Sequence, residues 1–521
     1  MKLNYKRTIL VGFAFFLISV FWQAYDATIA LTLTNKFGMS QTWSGVIMAL
    51  DNILALFLLP LFGTLSDKSK SKSGRRTPFI RFGTAIAAIA LVGLAFIDNV
   101  QLKNLQEVSQ VDDPAALAII YDTQADKELK TPEGNTFVLR DKFDRETFME
   151  IRSSDDSQEM GEVSEDDSPY VNYVVPARQA YASDLTDQNP TPLILFIGVL
   201  LVLLVGMGLF RSPAVALMPD VTVKPLRSKG NAVINLMGAA GGIIVLVLGM
   251  GFAFGISKAE NAMMSYVPYY ITISGIMLVA LGIFLFTVKE PEWVRQMQAD
   301  SIRYGIEEEP QEEQQKKRSL SRGEKISLIC ILLSVALWYM GYNAVTSKYS
   351  VYAPNVLQKD YSFTMLIAQA CAIVSYLPAG MVASKIGRKK TILAGVVMLA
   401  AAFAGAIFMD AGSPDWIMYL LFGLAGVGWA TINVNSFPMV VEMCSGSDVG
   451  KYTGFYYTAS MAAQTVTPML SGYLMDATGM TALFPYAAVF VGLAAVTMLL
   501  VRHGDTTVDV KQGLEALDVD E

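Results

Sequence analysis

The chain has 521 residues, 53% of them hydrophobic and 17% charged, with a mean hydropathy of +0.40. That excludes a soluble enzyme or nucleic-acid binder, in which roughly 25% of residues would be charged, and implies an all-α protein crossing a membrane many times. The net charge of −7 reports mostly one loop, and the single histidine, His503, excludes His-based metal sites and proton relays, leaving protonation chemistry to carboxylates.

Apolar stretches of about 20 residues, the length of a bilayer core, predict twelve helices. They fall near 8–33, 43–65, 79–97, 191–218, 230–256, 267–288, 325–347, 362–384, 390–410, 415–440, 450–475 and 481–502. The first apolar run is too long for a cleavable signal peptide, so none is expected. Lys68, Lys70, Lys72, Arg75 and Arg76 follow span 2, Lys224, Arg227 and Lys229 follow span 4, and Lys385, Arg388, Lys389 and Lys390 follow span 8. Lys316, Lys317, Arg318 and Arg322 precede span 7. All lie on one side, which cationic loops mark as cytoplasmic, with both termini there, in a plasma or inner membrane. Cys330, Cys371 and Cys444 lie in or beside spans and imply no disulfide framework.

The organisation read from this pattern is spans 1–3 over residues 1–97, an extracytoplasmic acidic insertion over 98–190 and spans 4–6 over 191–288. A cytoplasmic linker at 289–323, spans 7–12 over 324–503 and a cytoplasmic tail at 504–521 complete it. The linker reads as a solvated tether. The insertion reads as a solvated, loosely folded segment in which "GNTFVLRDKFDRETFMEI" forms a small hairpin or short helix; a lid or docking role is the alternative.

The halves repeat. "LPLFGTLSDKSKSKSGRRTPFI" after span 2 is echoed by "LPAGMVASKIGRKKTIL" after span 8, and "WQAYDAT" of span 1 by "WYMGYNAVT" of span 7. Two pseudo-symmetric six-helix bundles follow. Asp26 then matches Asn343, and Asp51, nine residues before Pro60, matches Gln369, nine before Pro378. The first half carries carboxylates where the second carries amides. A charge at mid-membrane costs about 2.5–3.5 kcal/mol on insertion scales, so an acid there calls for a function. Asp26 and Asp51 each lie about eight residues, or roughly 12 Å, below the short loop joining spans 1 and 2. They are therefore expected to share one site and to load and release a proton; the plainer alternative is that each accepts hydrogen bonds that fix helix packing.

Gly63, Asp67, Gly74, Arg75 and Arg76 resemble the loop signature of the major facilitator superfamily, with extra residues between Asp67 and Gly74. That spacing, the run from Trp43 to Asp67, "PAVALMPD" and "RSKGNAVINLMGAAGG" are similar to the glycoside–pentoside–hexuronide:cation symporters and the sucrose-transporter-like branch. The resemblance implies the major facilitator fold of twelve transmembrane helices, alternating access, and cation-driven sugar uptake. It also implies a cytoplasmic gate braced by Gly63, Asp67, Arg75 and Arg76, with Arg388 as the second-half cation. Arg211 is expected near the cytoplasmic end of span 4 as a structural or gating residue paired with Asp220. Ala55 and Leu59 stand where melibiose-type relatives carry sodium-binding acids, so a proton is the expected coupling ion, with no metal and no other cofactor.

Sugars take aromatic faces and planar amides. Trp22, Gln23, Tyr25, Trp338, Tyr342, Asn343, Gln369, Trp429 and Asn433 qualify by type and depth, against core packing as the alternative. "GSDVGKYT" at 446–453 misses the spacing of a phosphate-binding loop. The expected activity is proton-coupled symport of a sugar or glycoside by a monomer in the lipid bilayer, with no enzyme activity and no nucleic acid. An exporter or carrier of another solute is the first alternative and a non-transporting sensor the second.

Overall fold

A computed structural model describes residues 3–153, 168–223, 226–252, 263–303, 321–441 and 449–503. Cys444 and residues 446–448 of the 446–453 motif fall outside these residues. The first half is built from α1 (Tyr5–Leu31), α2 (Gln41–Asp67), α3 (Thr77–Asn104), α8 (Thr191–Val221), α9 (Arg227–Gly251) and α10 (Val267–Thr287). The second is built from α12 (Arg322–Tyr352), α13 (Tyr361–Ile386), α14 (Arg388–Ala406), α15 (Asp415–Val441), α16 (Val449–Thr478) and α17 (Leu483–Leu499). Among the described residues, ten of these helices are long and apolar enough to cross a membrane, and α13 contributes a shorter apolar run, Tyr361–Tyr376. α16, rich in Thr, Tyr and Gly, completes the bundle against α2 and α12. The protein is an all-α membrane protein.

Helices run alternately between two ends. One, here the terminus end, gathers residues 3–5, the α2–α3 turn and residue 503. The other, the insert end, gathers the α1–α2 connection and the segment after α3.

Glycine lets the halves touch at the insert end. A Cβ on Gly45 of α2 would meet the Pro468 carbonyl oxygen of α16 at 2.0 Å, and one on Gly472 would meet that of Gln41 at 2.2 Å. No larger residue fits at either place.

The insertion differs from the loosely folded segment expected. It forms α4 (Pro114–Gln124), a hairpin of β1 (Glu128–Lys130) and β2 (Thr136–Val138), α5 (Leu139–Lys142), α6 (Arg145–Glu150) and α7 (Val175–Gln188). These close over their own core of Leu105, Leu117, Ile120, Leu139, Phe148 and Val174. Its acidity misleads because, among the described residues, many of its acids are exposed, several as ion pairs such as Asp122 with Arg145, while the apolar residues converge.

The linker too is not wholly a tether. Its first part is α11 (Glu290–Arg303), whose Glu290 is buried at the start of α3. Residues 304–320 of the linker lie outside the described residues.

Candidate functional site

At mid-bundle each half carries a small cavity. In the first half it is lined by Trp22, Asp51, Ala55, Leu58, Leu59, Leu204, Met207, Gly208 and Arg211, and holds about 10 Å³. In the second it is lined by Tyr342, Thr346, Met365, Gln369, Tyr376 and Trp429 among others, and holds about 70 Å³. The repeat mates Asp51 and Gln369 therefore stand in corresponding cavities, one ionisable and one neutral. The second-half cavity is the roomier of the two.

Asp26 and Asp51 are both half-buried. Asp26 lies within electrostatic range of Asp51 and, across the halves, of Tyr342 and Tyr361. Asp51 accepts from the Asn52 amide at 2.7 Å and feels the Arg211 charge. Among the described residues Asp26 enters no salt bridge. The Trp22 indole N–H and the Tyr25 hydroxyl, one turn apart beside it, are buried and have no hydrogen-bond partner there. Unmet donors beside two acids favour a polar guest, because leaving each unpaired costs about 1–3 kcal/mol.

Arg211 overturns its expected position. Its guanidinium lies over the Trp22 ring, 5.3 Å from the centroid, and shares the first-half cavity with Asp51. It does not pair with Asp220, which accepts from Arg76 at 2.8 Å and lies 3.6 Å from Arg75. Counting residues along span 4 misplaced it because α8, at 31 residues, is longer than the roughly 20 residues a bilayer core requires, so a residue count along it does not give depth.

The aromatic candidates divide. Tyr342 and Trp429 stack face to face, centroids 3.7 Å and planes 3° apart, forming a flat wall of the second-half cavity. Asn433 borders it, its amide paired with the Tyr376 hydroxyl. Gln23 donates to the Tyr361 hydroxyl at 3.4 Å and so bridges α1 to α13. Tyr25 at 2% exposure and Trp338 at 1% are packed in the core. Neither Trp338 nor Tyr25 lines either cavity. Asn343 spends its amide on the Tyr339 carbonyl of its own helix, at 3.0 Å.

At the terminus end, Arg76 reaches Asp67 at 2.5 Å and Asp220 at 2.8 Å, which joins α2, α3 and α8. Gly63 of α2 lies against Ser212 of α8, where a Cβ would come within 2.9 Å of the hydroxyl. Gly74 has φ +116°, and a Cβ there would meet the Glu290 carboxylate at 2.2 Å, so only glycine serves. Glu290, which sequence reading missed, caps α3: it accepts from the Arg76 and Thr77 amides at 2.9 and 2.8 Å and from the Thr77 hydroxyl at 2.7 Å. Arg388 is buried at the start of α14.

At the insert end the halves are sealed. Asp476 of α16 accepts from the Gln41 and Thr42 amides at 2.8 and 2.7 Å and from the Thr42 hydroxyl at 2.5 Å, capping α2 from the other half. Beneath it the buried Lys348 of α12 donates to the Gln41 carbonyl at 2.6 Å and the Ser44 hydroxyl at 2.7 Å. Neither residue carried a signal in the sequence, because both act only across the halves.

The Major Facilitator Superfamily family model matches residues 180–375 and 358–516, and the model for MFS/sugar transport protein matches 10–102. The chain belongs to the major facilitator superfamily. Over 157 residues it is 29% identical to the MFS-type transporter ppzB of Metarhizium rileyi, a match spanning 30% of this chain and 32% of that relative's length. The fold is similar to the inward open conformation of the xylose transporter XylE from E. coli (TM-score 0.60, 15% identity, 99% of each chain). It is also similar to a bacterial homologue of the iron transporter ferroportin in its inward-facing state (TM-score 0.55, 12% identity, 96% of this chain and 99% of that one). Solved structures of this fold thus bear names of very different solutes, and fold leaves the cargo open. Family and fold are those of membrane transporters, and no catalytic activity is indicated.

Proposed function

We propose that this transporter is a proton-coupled symporter of a sugar or glycoside, working by alternating access, in the glycoside–pentoside–hexuronide or sucrose-transporter-like branch of the superfamily. One observation carries the reading. Two half-buried carboxylates, Asp26 and Asp51, occupy the first half, while their repeat mates in the second are the amides Asn343 and Gln369. A carboxylate at that depth is tolerated where it gains and loses a proton, and amides hydrogen-bond hydroxyls without titrating. The stacked Tyr342–Trp429 wall offers the flat apolar face that sugar C–H groups take.

If the cationic loops mark the cytoplasm, the insert end is outside, and the Asp476 seal closes the outer path. Asp67, Arg76 and Asp220 then brace the cytoplasmic ends of the first-half helices. Cargo then enters from outside when the seal that Asp476 makes with Gln41 and Thr42 parts.

Purified protein in vesicles, with a pH electrode, tests this: neutral mono-, di- and trisaccharides are added in turn, and a solute-induced proton movement identifies the cargo. If no sugar moves protons or exchanges, the reading fails. A second reading, carriage of an anionic solute, draws on Arg211 inside the first-half cavity. It requires a uronic acid or other carboxylate to give the signal while neutral sugars give none.

A further inference from the structure

The folded insertion belongs to the first half yet holds the second. Its root is firm: Gln179 donates to Asn35 at 2.9 Å and Gln101 to Thr186 at 3.3 Å. A Cβ on Gly38, at φ +65°, would meet the Ser183 amide nitrogen at 2.3 Å. From this root the β1–β2 hairpin projects, paired Glu128 with Val138 through Lys130 with Thr136, and pinned by the buried Leu129 and Phe137. Its tip, Thr131–Asn135, reaches the end of α16.

There the Met480 amide donates to the Pro132 carbonyl at 2.5 Å, and the Lys130 ammonium donates to the Asp476 carbonyl at 2.9 Å. Two glycines interlock, Gly134 at φ +93° and Gly479 at φ +105°. A Cβ on Gly134 would lie 2.6 Å from the Thr478 carbonyl oxygen, and one on Gly479 2.3 Å from that of Glu133. The same turn of α16 presents the Asp476 carboxylate to α2. Two elements of the first half thus hold one short stretch of the second, one by its side chain and one by its backbone.

We infer that the hairpin tip is a latch that holds the insert end closed, so that parting α2 from α16 also requires the tip to leave Thr478–Met480. The contact is small, with no apolar core of its own, which suits a bond broken once per cycle. Its role deepens the alternating-access reading, but it is tested by a distance that needs no cargo.

The parent for the test has Cys330, Cys371 and Cys444 replaced by Ser and spin labels on Lys103→Cys and Phe408→Cys, exposed positions at the insert end of the two halves. In one variant Asn-Gly replaces Thr131–Asn135, which keeps the Lys130–Thr136 pair and closes it with a two-residue turn. The longer-distance population should rise at least about threefold, with the thermal midpoint unchanged. In a second, unlabelled variant, Glu133→Cys and Thr478→Cys are joined by oxidation; labelling of Thr42→Cys at the α2–α16 seam by a bulky maleimide, read by mass on the peptide that carries residue 42, should be lost, and returned after reduction and removal of the reductant. Unchanged distances in the shortened hairpin, or equal labelling in oxidised and reduced forms, would overturn the latch. Failure of every sugar in the vesicle assay would remove the symport reading and leave these two measurements standing.

Discussion

Arg211 holds its guanidinium 5.3 Å from the centre of the Trp22 ring, in a cavity whose wall also carries Asp51. Cation, aromatic face and carboxylate thus share one small space inside the first half. The ring partly replaces the water the cation loses, and Asp51 supplies opposite charge.

Arg211→Lys should cut solute uptake at least about tenfold, since an ammonium neither stacks on the ring nor offers a planar fork. That corresponds to about 1.4 kcal/mol. Uptake is compared with the thermal midpoint of the purified variant; a large fall in the midpoint with uptake per folded molecule intact would make Arg211 merely structural.

Asp26→Asn should abolish accumulation driven by an acid exterior while solute exchange survives, because the amide keeps the polar contact and cannot titrate. Uptake of the parent should rise as the outside is acidified, and that of the variant should stay flat. Uphill uptake unchanged in Asp26→Asn would exclude proton coupling at this residue. Asp51→Asn, which also removes the charge facing Arg211, should impair both accumulation and exchange.

Asp476→Ala should open the insert end. It removes three hydrogen bonds from the first turn of α2, and loss of a helix cap costs about 0.5–2 kcal/mol. A shift of about fivefold or more in favour of maleimide labelling at Ser44→Cys is expected. Asp476→Asn, which still accepts hydrogen bonds, should show a smaller shift.

Glu290→Ala should weaken the fold at the terminus end and leave solute affinity alone. The buried amides of Arg76 and Thr77 lose their acceptor, at a cost of about 1–3 kcal/mol. The thermal midpoint should fall by a few degrees, and equilibrium binding of the identified cargo should stay within about twofold.

Much of the bundle was legible because the bilayer leaves few options. A run of about 20 apolar residues has to be a helix. Repeat arithmetic paired Asp51 with Gln369, and the two stand in matching cavities. The family resemblance put Asp67 and Arg76 at one gate, and the two pair. Arg211 was not, because depth along a helix of 31 residues is no guide to where the membrane begins. Trp338 was chosen by type, and type does not tell which face of α12 meets the core.

The sequence by itself determined the membrane class, the twofold repeat, and the placing of acids in one half against amides in the other, since these depend on composition and periodicity along the chain. Only the tertiary structure decided that Asp476 caps α2, that Lys348 lies beneath that cap, that Glu290 closes α3 and that the acidic insertion is a folded body reaching Gly479. Each of these joins residues remote in the chain, and a buried polar group finds its partner through the packing of backbones, which neither hydropathy nor spacing encodes.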